Sequence, residues 1–395
     1  MKLDLNGILY ALSYALDCEE RELLGVSADH AKWVAFVSAS MGSIAHLTRE
    51  QQVDLAACGI LHDNALTQYI AEEQPGNEVI NLGSHCSYGE KNIKKFPFRT
   101  DMSGAVLFHH ENADGTGPFG RMAEETPLSA QIIHLADYVD KDCGFRNIGK
   151  ENYRLIAEYL KKQTGTVFSE EVCSLYFKAV SEERYLSWKD KTIDELLSEM
   201  VPSEEREYTF SEIKNMMDVF AKIVDYKSVF TSRHSTQITD RVYKMAQYYQ
   251  YDEWTCERLY IAGALHDIGK MAIGNDILEK PDKLSDKEFV NMKNHAWYTY
   301  QILSRIKNAE DITSYASLHH EKLNGKGYPF GKTAEELGEK ERLMACIDIY
   351  QALREDRPYK AGMTHQDAMK IMQNMVNQGF IDSKITEDIN CVFAE

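Results

Sequence analysis

One histidine pattern occurs twice in this chain, and any fold must accommodate both copies. His30 lies 32 residues before His62-Asp63, and His234 lies 32 residues before His266-Asp267. His85 precedes His109 by 24 residues, as His295 precedes His319. Each half then carries a doubled histidine followed by glutamate, His109-His110-Glu111 and His319-His320-Glu321. Asp137 follows His110 by 27 residues, and Asp348 follows His320 by 28. The one large slip is 23 against 29 residues between the second and third histidines. Ten of the 13 histidines fall in this register, so a duplication that yields two similar domains is the simplest account. A chain of 395 residues is long for one core and comfortable for two. The acidic stretch Pro202 to Glu207 is a natural join, which predicts domains over 1–200 and 201–395.

The local pattern is helical. Between Thr364 and Gly379, residues Ala368, Ile371, Met372, Met375 and Val376 recur at i, i+3, i+4, i+7 and i+8. Thr364 with Asp367 resembles a capping box, and Gly379 stands where a helix stops. No sustained alternation demands a large sheet, so the expected class is all-α. The two strongest turn signals, Asp114 to Pro118 and Asn324 to Pro329, are again alike.

Composition removes several functions. At 44% hydrophobic and 27% charged residues the chain reads as globular, and its formal charge of −18 repels long polyanions such as nucleic acid. A small anion can still bind where cations cluster locally. No run of about 18 apolar residues predicts a membrane span. The apolar stretch Ile8 to Leu16 lacks a basic flank and a cleavage site, and reads as a first amphipathic helix. The eight cysteines form no CxxC pair, which suits reduced thiols and a cytoplasmic setting.

Imidazole and carboxylate ligands together suit Fe, Mn, Zn or Ni, and pairs of such metals bridged by a carboxylate. His266 and Asp267 are neighbours on a predicted helix, near its end at Gly269, so both can face one cavity. A two-metal site of this kind makes hydroxide available at neutral pH and neutralises a phosphodiester, so no Ser or Cys nucleophile is needed.

The second half resembles an HD-GYP domain, a branch of the HD phosphohydrolase superfamily. The matching stretches are His266-Asp267-Ile268-Gly269-Lys270, His319-His320-Glu321, Asn324-Gly325-Lys326-Gly327-Tyr328-Pro329 and Asp356-Arg357-Pro358-Tyr359-Lys360. The resemblance implies an all-helical fold and two divalent transition metals, Fe or Mn foremost. It implies hydrolysis of a cyclic dinucleotide, cyclic di-GMP or 3',3'-cyclic GMP-AMP, through a hydroxide held between the metals. By position, His234, His266, Asp267 and Asp348 would hold one metal. Asp267 would bridge to a second metal on His295, His319 and His320. Lys270 would stabilise transition-state charge, and Tyr328, Arg357 and Lys360 would contact substrate. Members with three metals carry an acidic ligand shortly before the first histidine. The stretch 227–233 has none, so a dinuclear centre is expected.

The first half keeps the ligand types His30, His62, Asp63, His85, His109, His110 and Asp137. Leu66 stands where Lys270 does, and the loop after Asp114 lacks the tyrosine. This half is expected to be degenerate: a metal-binding, regulatory or structural domain that pairs with the second half or within a homodimer. Two other readings compete with the enzyme. One is a signalling scaffold that binds metal or cyclic dinucleotide without turnover. The other is a phosphohydrolase of mononucleotides.

Overall fold

The computed structural model describes residues 1–73, 81–227, 234–280, 282–356 and 361–394. Its internal contacts divide the chain into two units, Lys2–Glu207 and Tyr208–Glu395, with Met1 belonging to the second. Both are helical, and the two-stranded pairing of Lys2–Leu3 with Arg206–Glu207 is the one regular sheet among the described residues. The all-α class expected from the pattern is the class observed. No helix among the described residues is long and apolar enough to cross a membrane.

The first unit is built around helix His30–Ile44, which is buried continuously from His30 to Gly42. A helix buried on every side must be enclosed by neighbours. Helices Arg49–Ile60, Leu128–Cys143, Glu170–Ala179 and Ile193–Met200 provide that enclosure. The second unit packs helix His234–Tyr248 against Glu253–Leu265 and Glu339–Arg354. Ile238, Val242, Leu259, Leu343 and Ile347 fill the seam. The predicted helix near the end of the chain runs His365–Asn377, with Thr364 as its N-cap and the Asp367 amide donating to Thr364 Oγ1 at 3.2 Å. Gly379 follows at φ +68°, the left-handed conformation that ends a helix.

Three local devices recur in both units and aim the histidine pattern inward. First, His30 and His234 each open a helix, and a buried carboxylate holds that opening. Asp17 Oδ1 accepts from the Ala31 amide and Asp225 Oδ1 from the Ser235 amide, both at 2.9 Å. The amides at a helix start have no partner inside the helix, so an anion there is favourable. Second, the His-Asp pair sits at a helix end rather than within the helix. Helix Glu253–Leu265 closes with His266 as its C-cap, and a 3₁₀ turn, Ile268–Ala272, follows Asp267. The expected helical continuation to Gly269 is corrected here. The break lets neighbouring side chains turn to one point, which a straight helix would hold about 100° apart.

Third, the glutamate after the doubled histidine ties down the following loop. Glu321 accepts from the amides of Phe330, Gly331 and Lys332 at 2.7–3.0 Å, and Glu111 from those of Phe119 and Arg121 at 2.6 Å. The loop passes so close that a Cβ on Gly327 would lie 2.4 Å from Glu321 Cα, and one on Gly117 2.6 Å from Glu111 Cα. Only glycine fits at these two positions.

Candidate metal centres

In the second unit, Asp267 lies between two groups of histidines. Its Oδ2 is 3.1 Å from His266 Nε2 and 3.9 Å from His234 Nε2. Its Oδ1 faces His295 Nε2 at 3.5 Å and His319 Nε2 at 3.9 Å. Asp348 Oδ1 meets His234 Nε2 at 3.2 Å, and its Oδ2 lies 3.6 Å from His320 Nδ1. The seven side chains named from the sequence therefore converge, six of them buried and His320 partly open to solvent. Donor atoms cluster as His234 with His266 and Asp348, and as His295 with His319 and His320.

The tautomers favour metal. The Nδ1 atoms of His266, His295 and His319 each donate to the carbonyl three residues earlier, those of Gly263, Met292 and Ala316, at 2.6–2.8 Å. With that hydrogen on Nδ1, Nε2 presents a lone pair. All three Nε2 atoms, and Asp267 Oδ1, are buried without a hydrogen-bond partner. Unmatched buried groups cost about 1–3 kcal/mol each, and a shared cation removes that cost. Burial, with the neighbouring His266, pulls His319 down to about 3, and burial also lowers His295. Burial and His319 hold His320 well below its usual value. These are neutral imidazoles, the form that ligates. Burial would raise Asp267, but His266 and Lys270 outweigh it and hold the carboxyl well below its usual range. The residues present fit a pair of divalent transition metals.

Lys270 Nζ donates to Asp267 Oδ2 at 2.5 Å. Burial opposes its charge, yet Asp267 raises its pKa above the usual value. The Tyr328 ring lies 4.7 Å from that of His320 and 6.3 Å from that of His295, forming one wall of the centre. Arg357 and Lys360, and most of the stretch before His234 (228–233), lie outside the described residues.

Sequence reasoning passed over the groups that orient the first histidine. His234 Nδ1 meets Glu355 Oε2 at 3.0 Å, and His30 Nδ1 meets Asp140 Oδ2 at 2.7 Å. Burial alone would favour neutral His234, but Asp348 and Glu355 lift it to about 9. A signal existed: Asp140 lies three residues past Asp137, and Glu355 seven past Asp348, spacings that share a helix face.

The first unit repeats the arrangement. Asp63 Oδ2 faces His62 Nε2 at 3.8 Å, and its Oδ1 faces His85 and His109 at 3.1 and 3.3 Å. His30 Nε2 meets Asp137 Oδ1 at 3.2 Å. The His110 ring lies against that of His109, tilted by 41° with ring centres 4.0 Å apart. Leu66, three residues past Asp63 as Lys270 is past Asp267, is buried and apolar.

Comparison with known proteins agrees with this duplication. Residues 218–385 and residues 27–142 each match a family model described as HD domain. The 3'3'-cGAMP-specific phosphodiesterase 1 of Vibrio cholerae is 26% identical over 397 residues, covering 96% of this chain and 91% of that protein. The 3'3'-cGAMP-specific phosphodiesterase 3 of the same organism is 29% identical, over 74% of this chain and 63% of that protein. A cyclic di-GMP phosphodiesterase of Pseudomonas aeruginosa is 34% identical over 36% of this chain and 35% of its own length. A crystal structure of a cyclic GMP-AMP-specific phosphodiesterase from V. cholerae shares the fold, with a TM-score of 0.67 at 21% identity, over 99% of this chain and 98% of that one. With both halves matched and each carrying the same convergent histidines and aspartates, this chain belongs to the HD-domain family as two HD domains in tandem.

Proposed function

We propose that the chain is a metal-dependent phosphodiesterase whose second HD domain hydrolyses a 3',5'-linked cyclic dinucleotide, 3',3'-cyclic GMP-AMP or cyclic di-GMP. The observation that carries this is Asp267, with one oxygen toward each group of histidines and Lys270 at hydrogen-bond distance. The relatives of known activity act on these two substrate classes.

His234, His266 and Asp348 would hold one ion, His295, His319 and His320 the other, with Asp267 shared between them. Two ions there, Fe or Mn foremost, supply Lewis-acid charge to the phosphodiester and lower the pKa of an attacking water. Lys270 places a fixed ammonium at the phosphate, where charge grows in the transition state. Burial pushes the Tyr328 hydroxyl upward, so it stays protonated and donates to substrate from the wall of the site. The partly open His320 marks the side from which substrate enters. Arg357 and Lys360 are assigned to the phosphates on sequence alone. The first HD domain binds metal through its matching ligands but lacks the lysine and tyrosine, and is not the hydrolytic centre. Eight free cysteines suit the reducing cytoplasm as its setting.

The direct test incubates the Mn- or Fe-loaded full-length protein with each 3',3' cyclic dinucleotide and with mononucleotides, and identifies products by mass spectrometry. A linear dinucleotide, mononucleotides, or both are expected from a cyclic dinucleotide. Hydrolysis of supplied mononucleotides with both cyclic dinucleotides left intact would overturn the reading.

A further inference from the structure

The first HD domain differs from the second in two buried side chains that no pairing of the histidine patterns predicts. Cys86 follows His85 where Ala296 follows His295. Its Sγ is fully buried, 3.8 Å from His85 Nε2 and 3.6 Å from His109 Nδ1, whose hydrogen goes to the Val106 carbonyl at 2.6 Å, so His109 would ligate through Nε2. One donor atom from each of His85, Cys86, His109 and His110 lies within 4.8 Å of every other. The second addition is Glu20, on helix Leu5–Leu24. It stands three residues past the capping Asp17, where the corresponding position past Asp225 is Ser228. Glu20 is 1% exposed, both its oxygens lack a hydrogen-bond partner, and Oε2 lies 3.8 Å from His30 Nε2. Glu20, His30 and His62 form a second group of close donors.

Access differs as well. The His320 side chain is 28% exposed in the second centre, whereas every ligand candidate of the first is buried. Tyr138 lies across His110, with ring centres 6.0 Å apart. His62 Nε2, His109 Nε2 and His110 Nδ1 are buried without a hydrogen-bond partner, as are both Glu20 oxygens. A closed pocket of unmatched donors is unfavourable until a cation fills it. Protein sites closed to water hold metal for structure, and catalytic ones keep a position open. Sulfur also changes the preference: thiolate with imidazole selects zinc, whereas carboxylate and imidazole alone suit manganese and iron.

We propose that the first HD domain holds a closed, thiolate-containing zinc centre on His85, Cys86, His109 and His110, with Glu20 as a carboxylate ligand of the adjoining ion. The protein would thus carry two chemically different centres, one that stabilises the first domain and one that hydrolyses substrate. This rests on the reading that the first domain binds metal at all.

The test uses full-length protein loaded with zinc and, in parallel, with cobalt(II). Metal content, X-ray absorption at the zinc edge and near-ultraviolet absorption of the cobalt form are read. A sulfur shell at about 2.3 Å and a thiolate-to-cobalt band are expected in the parent. Both should persist in His266→Ala/Asp267→Ala, which disables the second centre. Both should vanish in Cys86→Ser and in Cys86→Ala. The alanine variant reproduces the residue the second domain carries at this position, which guards against a serine variant that misfolds. Glu20→Gln should keep the sulfur shell and lower zinc content. Zinc retained by His266→Ala/Asp267→Ala without any sulfur shell would overturn the thiolate centre and leave metal binding standing. Such a result means the thiol only packs on the His109 ring. A sulfur shell that survives Cys86→Ala would also overturn it. No zinc retained in folded His266→Ala/Asp267→Ala would overturn both readings.

Discussion

At the scale of single residues, Lys270 and Leu66 separate the two domains most clearly. Each follows its aspartate by three positions, and only the lysine can offset phosphate charge. Lys270→Met keeps the length and removes the ammonium. Turnover should fall roughly 10²–10³-fold, equivalent to about 2.7–4 kcal/mol of transition-state stabilisation. Metal content should be unchanged, because Asp267 raises the Lys270 pKa and a protonated ammonium offers no lone pair to a metal. A Lys270→Met enzyme as fast as its parent would remove this residue from the chemistry. Gly327 offers a purely steric test. Its absent Cβ would sit 2.4 Å from Glu321 Cα, so Gly327→Ala must displace backbone. Overpacking of this kind costs about 1–3 kcal/mol. Thermal denaturation should show a lowered Tm, and an unchanged Tm would mean the loop has room that its geometry denies.

At the scale of elements, the same devices hold both centres, and the loop anchored by Glu321 is the most testable. One buried carboxylate accepts from three consecutive amides, 330–332. Glu321→Gln leaves a single acceptor oxygen and turns an N–H₂ group toward the amides. Hydrogen bonds to a charged group contribute about 1.5–3 kcal/mol each, so the loop should loosen without global unfolding. Amide hydrogen exchange at 330–332 should accelerate, and KM should rise as Tyr328 loses its fixed place. Exchange at the parental rate would show that the loop is held by other contacts. The carboxylates at the helix starts are the second device. Asp225→Ala removes an acceptor from the helix that begins with His234, a cap of a kind that contributes about 0.5–2 kcal/mol. Metal affinity should weaken with stability, and a variant that binds metal as tightly as the parent would detach the cap from the centre.

At the scale of the whole molecule, the two HD domains in tandem are expected to divide the work. In the full-length chain, His62→Ala/Asp63→Ala should keep most phosphodiesterase activity, and His266→Ala/Asp267→Ala should lose nearly all of it, with folding checked by circular dichroism. The contrast follows from Lys270, Tyr328 and the partly open His320, which the first centre lacks. The reverse outcome would make the first domain the catalyst. Equal, complete loss in both folded variants would show that the centres are coupled.

The sequence by itself determined the duplication, the helical class and the side chains that converge as candidate ligands, because metal coordination demands particular side chains in a fixed order. The ten histidines and the aspartates Asp63, Asp137, Asp267 and Asp348 were legible as spacings for that reason. Local caps were legible too: Thr364 and Gly379 act within one turn of where they stand. Tertiary structure decided what reaches those ligands from a distance in the chain. Glu20 meets His30 because two helices pack, and nothing in the spacing of acidic residues marks one of 62 as special. Cys86 was one of eight scattered cysteines until the fold set its sulfur against His85 and His109. The break after His266 escaped the helical pattern because Asp267 leaves the helix to face His295 and His319, which stand on segments further along the chain. Periodicity reports the face a residue shares with its neighbours in sequence. Burial, openness to solvent and the company of a buried charge depend on segments far apart in the chain, and only packing brings those together.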